Sequence, residues 1–438
     1  MDYPHRRVAI TGLGLVCPLG NSPDALWAGL VAGRSAVGAV TSMPIGDLPT
    51  KFAAEATGFT GAIDDFGPLE GEKKKAIRKG LKLMCRETQM GVASAQQALS
   101  DAGWGAGGYD VDRTGVTFGS DYMMTEPQDF QAGIVKCSRE GGFNFAAWGA
   151  EGMAEVTPLW LLKYLPNMPA SHLAIYNDLR GPSNSATMRE ASSNLAIGEA
   201  FRTVARGNAE IMLAGATGSR VHPMKFIHAL MQEQVAANGI EPAQASRPFD
   251  LNRTGQVLGE GAGAVVLEEM ESAKSRGAKI HGEMIGFGAS TVADRKAVAD
   301  RKQAFVNAIR AALKDAGLTP ADVGHINAHG LSTTSCDAAE AGAIREVFGA
   351  AADRVPVVAA KSFFGNLGAG SGAVELISSI LALEHGRLFP TLNYTTADPE
   401  CPVRVTRDGE TPSGRCFLNL STTPQGQAAV LAVREYRD

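Results

Sequence analysis

Five side chains in this 438-residue sequence could do chemistry together: Glu190, His329, Glu340, Lys361 and Asn366. Glu190 lies in Leu179-Arg-Gly-Pro182-Ser-Asn-Ser-Ala-Thr-Met-Arg-Glu190-Ala-Ser-Ser-Asn-Leu-Ala-Ile-Gly198-Glu-Ala200, a loop of small residues leading into a helix. His329 and Glu340 share Ala328-His-Gly-Leu-Ser-Thr-Thr-Ser-Cys-Asp337-Ala-Ala-Glu340, and Lys361 and Asn366 share Lys361-Ser-Phe-Phe-Gly365-Asn366-Leu-Gly. A carboxylate and an imidazole make a base–acid pair that can move protons. The same Glu could instead be a structural anion that caps its helix and pairs with His329. Asn366 offers an amide donor, which cannot become a cation or relay a proton at neutral pH.

The elements that must position these residues repeat. Ala98-Leu-Ser-Asp-Ala-Gly-Trp104 recurs as Ala312-Leu-Lys-Asp-Ala-Gly-Leu318, each ending a helix with Gly just past its last turn. A short strand follows each copy, Gly115 to Gly119 and His325 to His329. Later comes a strand, a small-residue loop and a helix. The first set is Leu173-Ala-Ile-Tyr, the Glu190 loop and a helix to about Arg206. The second is Val355-Pro-Val-Val-Ala-Ala, the loop from Ser362 to Gly372 and a helix to about His385. Matched motifs in matched order predict two related α/β halves, 1–271 and 272–438, divided between Ser272 and Lys279.

Composition sets the outer bounds. The length exceeds what one core usually holds, and 45% hydrophobic with 20% charged residues is ordinary for a globular chain. A net charge of −5 gives no global basic field for nucleic acid or a membrane surface. Met1 to Arg7 lacks the apolar stretch of a signal peptide, and there is no 18-residue apolar span, so a cytoplasmic protein is expected. The six cysteines (Cys17, Cys85, Cys137, Cys336, Cys401, Cys416) form no C-x-x-C pair, which argues against zinc or a disulfide framework. Gly12-Leu-Gly14 opens like a dinucleotide fingerprint, but Cys17 stands where its third Gly belongs.

Taken with Arg6-Arg-Val-Ala-Ile-Thr-Gly-Leu-Gly-Leu-Val-Cys-Pro-Leu-Gly20, Ala245-Ser-Arg-Pro-Phe-Asp250 and Val257-Leu-Gly-Glu-Gly-Ala-Gly263, these segments resemble the β-ketoacyl-ACP synthases of type II over nearly the whole chain. The resemblance implies the thiolase fold, two pseudo-repeated halves in a five-layer α-β-α-β-α sandwich. It also places the family's nucleophilic Cys at Glu190, its first catalytic His at His329, its second at Asn366, and its supporting ion pair at Lys361 and Glu340. Thr333 keeps one Thr that lines the family's phosphopantetheine channel, while Leu331 replaces the other. Thr422-Thr423-Pro424-Gln425 replaces the flexible Gly-Phe-Gly-Gly gate, which puts the oxyanion-hole amides in doubt.

Glu cannot form the acyl thioester on which condensation depends, so an impaired condensation site is expected. The resemblance then points to a chain-length-factor-like partner of an active, Cys-containing ketosynthase in fatty acid or polyketide synthesis. The alternatives are decarboxylation or proton transfer by Glu190 and His329 on a malonyl or β-ketoacyl substrate, and a homodimeric acyl-binding scaffold. No cofactor is expected beyond phosphopantetheine carried by an acyl carrier protein, and the assembly is expected to be a homodimer or heterodimer. The helix from Lys73 to Arg86 is either a solvated face or a dock for that acidic carrier. Trp160 to His172 resembles the segment lining the family's acyl pocket and dimer interface.

Overall fold

The computed structural model describes residues 6–437; the lead Met1 to His5 lies outside the described residues. Eleven strands form one mixed sheet. They are β1 (Val8–Val16), β2 (Thr114–Ser120), β3 (Ser183–Thr187), β4 (Ile211–Ser219), β5 (Glu260–Glu269) and β6 (Gly282–Thr291), then β7 (His325–Asn327), β8 (Pro356–Val358), β9 (Arg404–Val405), β10 (Cys416–Thr422) and β11 (Gln427–Arg434). Their order is β9-β8-β7-β10-β11-β6-β1-β5-β4-β2-β3. From the central antiparallel β1–β6 pair, each half runs outward through two antiparallel pairings and then two parallel ones, β1-β5-β4-β2-β3 and β6-β11-β10-β7-β8. The internal repeat is thus a repeat of topology.

Helices complete the layers. Those that bear on the site and its supports are α1 (Gly71–Gly80), α2 (Arg86–Asp101), α3 (Met168–Asn177), α4 (Ser192–Ala205), α5 (Pro223–Gln232), α6 (Arg301–Ala316), α7 (Thr334–Phe348) and α8 (Ser371–Glu384). Helix α2 covers β1, β4 and β5 from outside, and α6 covers β6 and β11 on the other half. Between the halves lie α4 and α8, which touch strands of both. A helix can be central only if it is apolar or small on all sides. Accordingly, α8 reads Ser-Gly-Ala-Val-Glu-Leu-Ile-Ser-Ser-Ile-Leu-Ala-Leu-Glu and is buried from Ser371 to Leu383. The result is the thiolase fold, α-β-α-β-α.

The repeated Asp in the two matching segments has a mechanical role. Each central strand carries a register shift, Ile10/Gly12 in β1 and Met284/Gly286 in β6. Asp101 Oδ2 accepts from Leu13 N and Asp315 Oδ2 from Phe287 N, both at 2.9 Å, so each outer helix serves a backbone donor near its bulge. Gly14 and Gly288 let those helices sit directly on the strands. A Cβ on Gly14 would lie 2.1 Å from Ser94 O, and one on Gly288 2.2 Å from Ala308 O. That contact, rather than a dinucleotide, explains the Gly12-x-Gly14 spacing. Gly288→Ala should lower stability by about 1–3 kcal/mol, seen as an earlier urea midpoint at unchanged slope.

Two local expectations are corrected. Leu173-Ala-Ile-Tyr is part of helix α3, and the strand before the Glu190 loop is the polar Ser183–Thr187. A short apolar run does not distinguish helix from strand, and an edge strand with exposed residues needs no apolar signature. The basic stretch is not one helix: α1 ends at Gly80, a short 3₁₀ turn follows, and Arg86 opens α2. Arg86 is half-buried and its guanidinium is engaged by buried Glu260 at 2.6 Å. The Trp160 segment divides into a 3₁₀ turn, Trp160–Lys163, and the start of α3.

At the junction of the halves, buried His281 bonds Asp101 (2.8 Å) through Nε2 and Glu384 (2.6 Å) through Nδ1, with Lys279 3.5 Å from Glu384. Burial lowers the His281 pKa, but the two carboxylates outweigh it and the net shift is upward. Asp101 and Glu384 are shifted down despite burial, chiefly by the imidazole. His281 therefore contributes stability that is complete below its unfolded value of about 6.5 and is lost as pH rises through the raised folded value. The carboxylates contribute above about pH 4 and lose it in acid. The melting-temperature deficit of His281→Gln should accordingly be larger near about pH 6 than near about pH 9.

Candidate active site

The Glu190 position is built by a sharp turn. Strand β3 ends at Thr187, Arg189 takes a left-handed φ of 48°, and residues Arg189–Ala191 form one 3₁₀ turn into α4. Ser192 fastens the turn, accepting from Met188 N and donating to Ser120 O, both at 2.8 Å. This geometry directs the Glu190 side chain inward, where the residue is 2% exposed.

Its partners are not those expected. Glu190 was expected to face and pair with His329; its hydrogen bonds instead come from Arg220 Nη2 and from Asn366 Nδ2 (3.1 Å). Arg189 Nε adds an ion pair at 3.6 Å. Arg220, fully buried at the end of β4, also bonds Glu233 at 2.9 Å, and Arg189 bonds Glu233 as well. Gln256 closes the ring, donating to Glu233 Oε2 (2.5 Å) and accepting from Asn366 Nδ2 (2.7 Å). Two guanidiniums and two carboxylates thus neutralise one another out of water. Burial pushes the Glu190 pKa up, but Arg220 and then Arg189 overcome it and hold the group well below the usual carboxylate range. Asp121 also supports the Arg220 charge.

Asn366 is held as firmly as Glu190. Its backbone bridges the Val257-Leu-Gly259 segment, donating to Val257 O at 2.7 Å and accepting from Gly259 N at 2.9 Å. Gly365, at φ 66°, permits this approach because a Cβ there would lie 2.6 Å from Val257 O. The Asn366 side-chain Oδ1 accepts from Gly368 N (3.0 Å) and Ser371 Oγ (3.3 Å), so its Nδ2 faces Glu190 and Gln256.

His329 belongs to a second buried group. Lys361 Nζ reaches His329 O at 2.8 Å and Nδ1 at 3.3 Å. With an ammonium at Nδ1, the ring proton sits on Nε2. Burial first, and the Lys361 charge second, depress the imidazole well below its ordinary value, so it is neutral. The expected Lys361–Glu340 ion pair is replaced: Lys361 Nζ pairs with Glu375 of α8 at 2.5 Å. Glu340 accepts instead from the amides of His329 (2.6 Å) and Gly330 (2.9 Å), and burial pushes its pKa up to about 8. The sequence motifs located Lys361 and Glu340 but not the carboxylate that Lys361 meets, because Glu375 stands in an otherwise apolar helix.

Leu331 and Thr333 flank His329. Leu331 N donates to Asp337 at 3.0 Å, and Thr333 precedes α7 with its buried Oγ1 unpartnered. Thr422 and Thr423 lie in the tight connection of β10 and β11, and β10 contacts the Glu190 turn. Thr423 N donates to Gln427 O at 2.9 Å and Thr422 Oγ1 to the same carbonyl at 2.9 Å. That amide is committed to the hairpin. Among the described residues no group of three or more His, Cys, Asp or Glu is arranged to hold a metal ion, and no helix is long and apolar enough to cross a membrane.

Arg220, Glu233, Gln256 and Asp121 escaped the sequence reading. The available signal was Ser219-Arg220, an isolated charge at the end of the apolar strand Ile211–Ser219.

Comparisons with known proteins agree with the fold. The chain is 34% identical over 398 residues to the 3-oxoacyl-[acyl-carrier-protein] synthase 2 of Synechocystis sp., covering 90% of each protein. Among solved structures, it aligns with the ishigamide ketosynthase/chain length factor at a TM-score of 0.83 and 28% identity, over 99% of this chain and 100% of that one. It also aligns, at 0.83 and 25% and the same coverage, with a type II polyketide acyl-carrier protein in complex with its ketosynthase bound to the hexaketide. Residues 5–273 match the Beta-ketoacyl synthase, N-terminal domain, and 281–395 the Beta-ketoacyl synthase, C-terminal domain. With Glu190, His329 and Asn366 held at the meeting point of the two halves, this chain belongs to the β-ketoacyl synthase family.

Proposed function

We propose that this chain is a ketosynthase-like component of fatty acid or polyketide synthesis that does not itself condense acyl units, and that it works as the chain-length-factor-like partner of a Cys-containing ketosynthase. The observation that carries this reading is the state of Glu190, a carboxylate ionised and clamped by Arg220, Arg189 and Asn366. Such a group offers no nucleophile for thioester formation. It is also a poor general base, because its low pKa removes the driving force for accepting a proton. That weighs against the decarboxylation and proton-transfer reading. Thr423 N is engaged by Gln427 O in the turn that stands in place of the family's Gly-Phe-Gly-Gly gate, which leaves that amide unavailable to a substrate oxyanion.

The synthase 2 relatives bear names that tie them to acyl-carrier-protein substrates, and the structural neighbours include a ketosynthase/chain length factor and a ketosynthase with its carrier protein. By extension, phosphopantetheine reaches this assembly on an acyl carrier protein, with Thr333 and Leu331 near its path. Within the basic stretch, Lys73, Lys74 and Lys75 are engaged with Gly105, Asp64 and Glu72, whereas Arg78, Lys79 and Lys82 are exposed and available to an acidic carrier. Co-expression with a Cys-containing ketosynthase encoded beside it should yield a one-to-one heterodimer on size exclusion. Recovery of the two chains only as separate homodimers would count against the partner role.

A further inference from the structure

The buried charges do not stop at Glu190. Beyond Arg220 stands Asp121, 1% exposed, with Oδ2 lacking a hydrogen-bond partner, as does Arg220 Nε. The next residue, Tyr122, bonds His228 Nδ1 at 2.6 Å and carries Lys225 Nζ over its ring at 5.0 Å. Lys225 Nζ donates to Glu87 Oε1 at 2.6 Å, with side chains 0% and 7% exposed. A cavity of about 30 Å³ remains beside this pair, between Cys85, Glu87, Met124, Ser219, Val221 and His222. That is room for water, whereas pockets for drug-sized ligands measure roughly 300 Å³ or more. On the other flank of Glu190 lie Glu233, Gln256 and Asn366. An apolar chain laid against these side chains would have to separate paired charges without replacing their hydrogen bonds.

We propose that the Lys225–Glu87 pair, continued by Asp121 and Arg220, closes the interior of this subunit to acyl chains. Where the partner reading of the preceding subsection holds, the growing acyl group then lies in the Cys-containing partner, and this chain bounds it from outside. Lys225 and Glu87 act by occupying space and by the cost of stripping their charges, not by touching the reacting atoms.

The test uses the purified chain alone, with a diazirine-bearing decanoic acid as probe and a Cys-containing ketosynthase as positive control. Peptide mass spectrometry should find no photolabel in segments 118–126, 186–194 and 219–230. In E87M/K225M, where the ion pair becomes apolar side chains of similar volume, labelling of these segments should rise about tenfold or more. If that variant does not fold, E87Q/K225M removes the same charges and is read in the same way. Labelling of these segments in the wild-type chain overturns the proposal, and so does a folded variant that labels no better than wild type. Because no partner is present, failure to form a heterodimer sinks the partner reading without touching this result.

Discussion

Arg220→Met should destabilise the protein by about 3–5 kcal/mol, the cost of leaving buried carboxylates without their counter-ion. The cost is set by where the charge sits. Arg220 is wholly buried and bonds both Glu190 and Glu233, whereas the Arg180–Asp178 pair is 58% and 60% exposed. Arg180→Met should therefore cost no more than about 1 kcal/mol, since exposed pairs are weak and screened. Urea unfolding of both variants gives the comparison. Glu190→Gln combined with Arg220→Met should cost clearly less than the sum of the single changes, because each single variant strands a charge that the double variant removes. Simple additivity would mean that the two residues do not depend on one another.

Glu190→Cys should not create a condensing enzyme. The new thiol would lie between Arg220 and Arg189, which favour a thiolate, so alkylation by iodoacetamide is expected at neutral pH wherever the reagent reaches it. Acyl transfer needs more. On the proposed reading Asn366 stands where the family has its second His and cannot take up a proton, and Thr423 N is bound to Gln427 O. Losing even one oxyanion donor costs about 100–1,000-fold in rate in known enzymes. Incubation of the variant with acyl-ACP should give no acyl-enzyme mass, and added malonyl-ACP no 3-oxoacyl product. Detectable elongation by the single variant would show that Asn366 and the Thr422–Gln425 turn matter less than the geometry indicates.

The fold was readable because its repeat leaves traces in backbone-limited positions. Asp101 and Asp315 serve paired strand donors, and small residues fill the central helices, so these types recur where contacts recur. Strand β3 was misplaced because an exposed edge carries no apolar alternation, and α3 took its place for want of a length signal. At the site, Glu190, His329, Lys361 and Asn366 were found because they stand in contiguous motifs. Their partners were not. Arg220, Glu233 and Glu375 come from distant segments, and a lone charge in an apolar stretch does not announce which opposite charge it meets. The Glu190–His329 and Lys361–Glu340 pairings followed motif order, whereas the folded chain pairs charges by proximity across β4, α5 and α8.

The central claim is that this chain supports condensation without holding the acyl group. It is tested most directly by intact-protein mass spectrometry of the chain co-purified with its Cys-containing ketosynthase, after exposure to acyl-ACP. The acyl mass should appear on the ketosynthase alone, leave it when malonyl-ACP is added, and never appear on this chain. Acylation of this chain, or 3-oxoacyl product from it in the absence of the ketosynthase, would contradict the account.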